Sequence, residues 1–205
     1  KTKMADGLDK LTLSSPSNLF EAMQTYIVYY FLQQEIETTR LRSFGRLDKI
    51  LYPFYIKEDR EYANKLIREF YVALNSLRSP ANLPFALCGT ELDGSSSVNE
   101  LSYELVKAYK ELHLPNVKIH ILTAKNTPHD LLKEVLDAIR SGKNSFVFMN
   151  DEKVIESLLN LGEDKEDAVN YHIVGCYEPC GYAEIPCSCN GRVNIAKAIE
   201  YALND

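Results

Sequence analysis

The second half of the chain alternates between short runs rich in β-branched residues and longer segments with helical periodicity, which restricts the possible folds more than any other feature. Strands are predicted at residues 117–122, 145–148 and 171–174. Helices are predicted at residues 127–140, 151–159, 164–169 and 191–203. Because alternating strands and helices form parallel βα units, we predict an α/β fold whose active site lies beyond the carboxyl ends of strands.

The first half of the chain carries mostly helical patterns. Helices are predicted at residues 19–39, 46–52, 58–77 and 99–112, with Pro53 disturbing or ending the second of them. A long loop rich in Pro, Gly and Ser is predicted between them, at residues 79–97. We therefore treat residues 1–205 as one partial domain, mostly helical over residues 1–112 and built from βα units over residues 113–205.

Composition excludes several classes of protein. The 205 residues are long enough for one sizeable core or two small ones, and the net charge of −6 argues against nonspecific nucleic-acid binding. No apolar run approaches the length of a membrane span, and the start has no signal-peptide pattern. Five cysteines in such a chain indicate thiols or ligands rather than a disulfide framework. We therefore expect a cytoplasmic protein with no nucleic-acid or membrane partner.

Cys176 and Glu178 are the strongest candidates for chemistry. They are two residues apart after an apolar run, so an extended backbone would place both side chains on one face. Gly175 before them and Pro179 after them predict a sharp loop tip. Such a pair lets a sulfur nucleophile or radical act on one carbon while a carboxylate moves a proton at its neighbour.

Five sequence blocks, in family order, resemble the glycyl radical enzymes of the pyruvate formate-lyase-like superfamily. The segment Gly-Cys-Tyr-Glu-Pro at residues 175–179 is similar to the family's Gly-Cys-Val-Glu-Pro. The four blocks before it are Gly-Arg-Leu-Asp at 45–48 with Leu-Tyr-Pro-Phe-Tyr at 51–55, Asp-Gly at 93–94 with Asn-Glu-Leu-Ser-Tyr at 99–103, Lys-Asn-Thr-Pro at 125–128, and Phe-Met-Asn-Asp-Glu at 148–152.

This resemblance implies a fold and a chemistry. It implies part of a ten-stranded α/β barrel with several outer helices and the cysteine loop inside. It also implies that Cys176 carries a thiyl radical and that Glu178 acts as the base, for which an enclosed site would raise its pKa. Residue 177 departs from the family pattern because Tyr177 replaces the usual Val.

The resemblance also concerns residues that this sequence does not contain. The family stores its radical on a glycine in an Arg-Val-x-Gly-aromatic site, and a radical SAM activating enzyme installs it there. The nearest match, residues 192–195, lacks both the glycine and the aromatic residue. We therefore expect a piece of a longer, homodimeric protein, inactive by itself, with the radical site outside this chain and no cofactor bound within it.

The preferred function is radical elimination by a lyase or dehydratase, breaking a C–O, C–N or C–S bond of a small polar substrate. One alternative is formate C-acetyltransferase activity, although pyruvate formate-lyase uses two adjacent cysteines and Tyr177 follows Cys176 here. Another is a noncatalytic module that binds a metal or a partner through Cys176, Cys180, Cys187 and Cys189, but their spacing fits no established zinc pattern, so we predict no metal.

Further candidates for substrate binding lie near the cysteine loop and in the glycine-rich loop. Tyr177 lies beside the thiol, Cys180 could line the same pocket, and Asp93 lies in the loop before the helix predicted at 99–112. His120, in the strand predicted at 117–122, could bind substrate or be a histidine satisfied within its strand.

Overall fold

The computed structural model describes residues 2–37, 43–77, 83–112, 114–182 and 194–204. It begins with four helices, which are α1 (Thr2–Leu11), α2 (Leu19–Glu37), α3 (Leu47–Tyr55) and α4 (Arg60–Ser76). The carboxylate of Asp59 caps α4 by accepting the Tyr62 N–H at 3.0 Å, and Asn18 accepts the Glu21 N–H at 2.9 Å at the start of α2. Helix α1 was not predicted from the sequence.

Helix α3 continues through Pro53 to Tyr55, so the prediction that Pro53 disturbs or ends the helix was wrong about its extent. A proline inside a helix removes one backbone hydrogen bond. That loss is offset because Leu47, Leu51 and Tyr55 lie on one buried face of α3.

Three parallel strands form the central sheet in the order β1 (Leu83–Cys88), β2 (Val117–Thr123) and β3 (Phe146–Asn150). Helix α5 (Glu100–Glu111) connects β1 to β2, and α6 (His129–Arg140) connects β2 to β3. The α/β class is therefore confirmed. The prediction of a loop over residues 79–97 was wrong, since β1 occupies part of it and pairs with β2 along its whole length.

Two short helices, α7 (Asp151–Leu161) and α8 (Lys165–Val169), lead from β3 to a hairpin of β4 (His172–Val174) and β5 (Glu178–Cys180). The sequence predicted a third parallel strand at 171–174. Instead, β4 pairs antiparallel with β5 and forms a separate two-stranded sheet. The reason is the three-residue loop, which returns the chain directly alongside β4.

The sheet has two different faces. Ile119 and Ile121 of β2 belong to the main core, together with residues of α2 to α6. The opposite face contributes Ala86 and Leu122 to a smaller core that includes Ile173 of the hairpin. Side chains alternate along a strand, so the hairpin packs on the face to which His120 also belongs.

The last described helix, α9 (Ile195–Asn204), has no buried residue. Among the described residues, no helix combines the length and apolar character that are needed to cross a membrane.

Candidate active site

The hairpin presents Cys176 in a loop of three residues. Val174 pairs with Glu178, which leaves Gly175, Cys176 and Tyr177 to make the turn. Gly175 has a φ of +61°, a left-handed conformation that side chains disfavour, so glycine suits this position. The glycine predicted to mark a loop tip thus provides the backbone conformation that turns the chain at the thiol.

The Glu178 carboxylate folds back onto this loop. Its Oε2 atom accepts the backbone N–H groups of both Cys176 and Tyr177, each at 3.0 Å. The bond from Tyr177, followed by smaller contributions that include the bond from Cys176, lowers the pKa of Glu178 against the opposing effect of partial burial. The expectation of an enclosed carboxyl with a raised pKa was wrong, because Glu178 is exposed and its anion receives two donors.

His120 lies beneath the loop, and its side chain contacts the backbone of Cys176. The His120 Nε2 atom is 2.9 Å from the Cys176 carbonyl oxygen. A carbonyl can only accept, so Nε2 carries the hydrogen. His120 is fully buried, which lowers its pKa, while the bond to the Cys176 carbonyl opposes this effect and the positive charge of Lys118 adds to it.

Tyr177 extends the contact between the loop and β2. Its ring meets the His120 imidazole edge to face, with ring centroids 6.3 Å apart. Lys118 Nζ lies 5.5 Å from the centroid of the Tyr177 ring. Because Tyr177 remains 56% exposed, its ring is accessible beside the thiol.

The hairpin crosses the sheet from one end to the other. At its base, the buried Tyr171 lies beside Asp151, which begins α7 at the carboxyl end of β3. At its tip, Tyr177 lies beside Lys118, near the amino end of β2. Burial raises the pKa of Tyr171, and the negative charge of Asp151 raises it further. Cys176 is therefore placed over the middle of the sheet rather than past the end of a parallel strand.

Cys180 lies on β5 opposite His172 and is buried. Cys187 and Cys189, the other two members of the possible metal cluster, lie outside the described residues. Within the described ranges, no group of three or more His, Cys, Asp or Glu side chains is arranged to hold a metal ion.

Asp93 lies in a different part of the molecule. Its Oδ1 atom accepts the backbone N–H of Ser95 at 2.9 Å and the Ser95 hydroxyl at 2.6 Å, and the hydroxyl bond is the main cause of its lowered pKa. Asp93 lines a cavity of about 370 Å³ near the carboxyl ends of the strands, together with Thr90, Asn126, Glu152 and Lys165. No described residue of the hairpin lines this cavity, so the structure does not bring Asp93 and Cys176 together.

Two of the sequence blocks meet in a buried polar network behind the site. Asp48, which is fully buried, accepts the Cys88 N–H at 2.7 Å and the Ser102 hydroxyl at 2.6 Å. Burial raises the pKa of Asp48, and these bonds oppose that effect. Arg46 donates to the carbonyl of Thr90 at 3.2 Å and to that of Val169 at 3.3 Å. These block residues join α3, β1, α5 and α8, and so support the sheet on which the hairpin lies.

Sequence reasoning weighed His120 but did not connect it to Cys176, and it missed Lys118. The sequence did contain a signal. Lys118 and His120 occupy alternate positions of an apolar strand, which indicates that one face of that strand makes polar contacts. Which segment would cover that face could not be deduced from the alternation.

Comparisons with known proteins agree with the geometry. The family model described as pyruvate formate lyase-like matches residues 2–205. Trans-4-hydroxy-L-proline dehydratase of Clostridioides difficile is 26% identical over 223 residues, covering 98% of this chain and 28% of the relative. Isethionate sulfite-lyase of Bilophila wadsworthia is 26% identical over 227 residues, covering 99% and 27% respectively.

Among solved structures, a glycyl radical enzyme from Archaeoglobus fulgidus has a TM-score of 0.79 and 29% identity, covering 92% of this chain and 27% of its own. The chain thus spans about a quarter of the length of these relatives. With a family match along almost its whole length, and with the cysteine loop carried on a hairpin across an α/β sheet, the chain belongs to the pyruvate formate lyase-like family of glycyl radical enzymes.

Proposed function

We propose that this chain is the part of a glycyl radical lyase or dehydratase that carries the reactive thiol. The three parallel strands would form part of a ten-stranded barrel with the hairpin inside it. Family membership supports radical chemistry, and the names of the dehydratase and sulfite-lyase relatives support elimination from a small polar substrate. We further propose a cytoplasmic homodimer that a radical SAM enzyme activates.

The arrangement of Cys176 and Glu178 is the observation that carries this proposal. The thiol is partly exposed at the hairpin tip, where a radical group from another part of the protein could reach it. The carboxylate lies within the same turn and has a lowered pKa, so it is ionised near neutral pH and able to accept a proton. The thiol and the carboxylate that elimination needs are therefore both held by the five-residue segment 175–179.

The glycyl radical, when present, would supply the oxidation of the Cys176 thiol by taking its hydrogen atom. Cys176 Sγ then takes a hydrogen atom from a substrate carbon, so that an S–H bond forms as a C–H bond breaks. Glu178 accepts the proton of a hydroxyl group on that carbon. The neighbouring C–O, C–N or C–S bond breaks, and the leaving group departs with the bonding pair.

The remaining steps close the cycle. The thiol returns its hydrogen atom to the carbon radical that remains after elimination, which forms the product and restores the sulfur radical. Glu178 releases its proton to the leaving group or to solvent. Atoms and electrons balance without a further oxidant or reductant. Acyl transfer of the pyruvate formate-lyase type would instead use a second adjacent thiol, a position that Tyr177 holds.

Substitution of each group in the longest form of the protein that its gene encodes, activated anaerobically, tests the proposal. Cys176→Ser should abolish turnover, because an O–H bond is too strong to be oxidised in the same way. Glu178→Gln should lower turnover about 10²- to 10⁴-fold while deuterium still exchanges from solvent into substrate. Glu156→Gln, at an exposed glutamate of α7, is the matched control. Near-wild-type turnover of Glu178→Gln would refute the elimination mechanism.

A further inference from the structure

Three backbone polar groups around the thiol are held by hydrogen bonds from two side chains. Glu178 accepts the N–H groups of Cys176 and Tyr177, and His120 donates to the Cys176 carbonyl. The peptide groups before and after Cys176 are therefore both hydrogen-bonded. In a loop of three residues, this leaves the backbone that carries the sulfur little freedom to move. The two holding residues differ, however, in what they are attached to.

Glu178 belongs to the same hairpin as the thiol, so its bonds shape the loop but move with it. His120 belongs to β2, the central strand, which pairs with both β1 and β3. The ring is fully buried between the sheet and the loop. The bond from His120 therefore ties the backbone of Cys176 directly to the central sheet.

Among the described residues, the rest of the imidazole ring makes no competing hydrogen bond. Its Nδ1 atom is buried and has no hydrogen-bond partner within the part of the chain that the structure describes. A buried acceptor without a partner is unfavourable. By packing alone, an apolar side chain would fill this position at a lower free-energy cost than histidine. The sole hydrogen bond of the ring among the described residues is thus the one to the loop.

We propose that His120 is a positioning residue, which fixes the Cys176 backbone relative to the sheet and so aims the sulfur at the substrate. The charged and titratable groups that face His120 are Lys118 on its own strand and Tyr177 and Glu178 on the hairpin. The Nε2–H group donates whether or not Nδ1 is protonated, so the contact does not depend on pH. The catalytic part of this inference rests on the proposed function, while the positioning part does not.

A pair of variants separates the hydrogen bond from the volume of the ring. His120→Met removes the donor but fills the space, whereas the amide nitrogen of His120→Gln can reach the position of Nε2 and donate to the same carbonyl. His129→Met makes the same replacement at an exposed histidine at the start of α6 and serves as the control.

The first measurement needs no catalytic activity. The rate at which iodoacetamide alkylates Cys176 is followed by peptide mass spectrometry in the longest form of the protein. Loss of one hydrogen bond corresponds to a factor of about two to ten in the equilibrium constant for local opening of the loop. His120→Met should therefore speed alkylation by that factor. His120→Gln and His129→Met should alkylate at the wild-type rate, and thermal unfolding checks that each variant is folded.

The second measurement is turnover after anaerobic activation. A displacement of the thiol lowers kcat more than it raises KM, so His120→Met should lose about 10- to 100-fold in kcat, with His120→Gln largely restored. Unchanged alkylation in a folded His120→Met variant would overturn the proposal, as would equal effects of Met and Gln on alkylation. If alkylation responds as expected but the wild-type protein performs no elimination, the proposed function fails and the positioning role stands.

Discussion

The carboxylate of Asp48 in α3 accepts the backbone N–H of Cys88, the last residue of β1, at 2.7 Å. The same carboxylate accepts the hydroxyl of Ser102 in α5 at 2.6 Å. One buried side chain therefore joins two helices to the end of a strand. These two bonds are a structural reason for an acidic residue in the Gly-Arg-Leu-Asp block.

Removal of this carboxylate should be among the most destabilising single changes in the chain. Asp48→Ala leaves a buried N–H and a buried hydroxyl without their acceptor, so the free energy of unfolding should fall by about 3 kcal/mol. Asp48→Asn keeps one acceptor and should lose about half as much. Urea unfolding measures both, with the exposed Asp9→Ala as control. A loss for Asp48→Ala no larger than that for Asp9→Ala would contradict the linking role.

Cys88 has a φ of +72°, a left-handed conformation that disfavours any side chain. Replacement of Cys88 by Ala or by Gly removes nearly the same buried atoms. The difference between the two variants in the free energy of unfolding therefore reports the backbone strain. Glycine usually destabilises a folded chain relative to alanine, by about 1 kcal/mol in regular structure. Here we expect the reverse, with Cys88→Gly more stable than Cys88→Ala by about 1 kcal/mol in urea unfolding. A more stable Ala variant would show that the strain is absent.

Two buried tyrosines should respond differently to loss of the hydroxyl. The Tyr71 hydroxyl donates to the Leu105 carbonyl at 3.0 Å, so Tyr71→Phe should lower the free energy of unfolding by about 1 kcal/mol. The Tyr171 hydroxyl is buried and has no hydrogen-bond partner of acceptable geometry among the described residues. Tyr171→Phe should therefore be neutral or slightly stabilising, and a loss as large as that of Tyr71→Phe would reveal a bond to Asp151.

Acid should weaken the attachment of α1 to α2. The Lys10 ammonium, with help from Ser17, lowers the pKa of Glu21 from 4.5 to about 2. A depressed carboxyl pKa stabilises the folded state above the unfolded pKa, and this contribution disappears as pH falls toward the folded value. The folded protein should thus lose stability as the pH falls from 4.5 to about 2, which thermal unfolding measures. Glu21→Gln should remove part of that pH dependence. Glu69→Gln, at an exposed glutamate of α4, should leave the dependence unchanged.

Local sequence determined those elements whose signals lie within a few residues. Helices α4 and α5 begin within two residues of their predicted starts, because the side chains of Asp59 and Asn99 each accept N–H groups of the first turn. The β-branched run of β2 was predicted almost to its exact bounds. The turn at Gly175 was also predicted, since its conformation depends on the glycine itself.

Tertiary structure decided what depends on residues far apart in the chain. Strand β1 has no alternation, and only its pairing with β2 makes it a strand. The direction of β4 follows from its pairing with β5, and burial of Asp48 follows from the meeting of α3, β1 and α5. The catalytic roles of Cys176 and Glu178 stay predictions. The bond from His120 to the Cys176 carbonyl joins residues 56 positions apart, and sequence periodicity holds no information about such a pair.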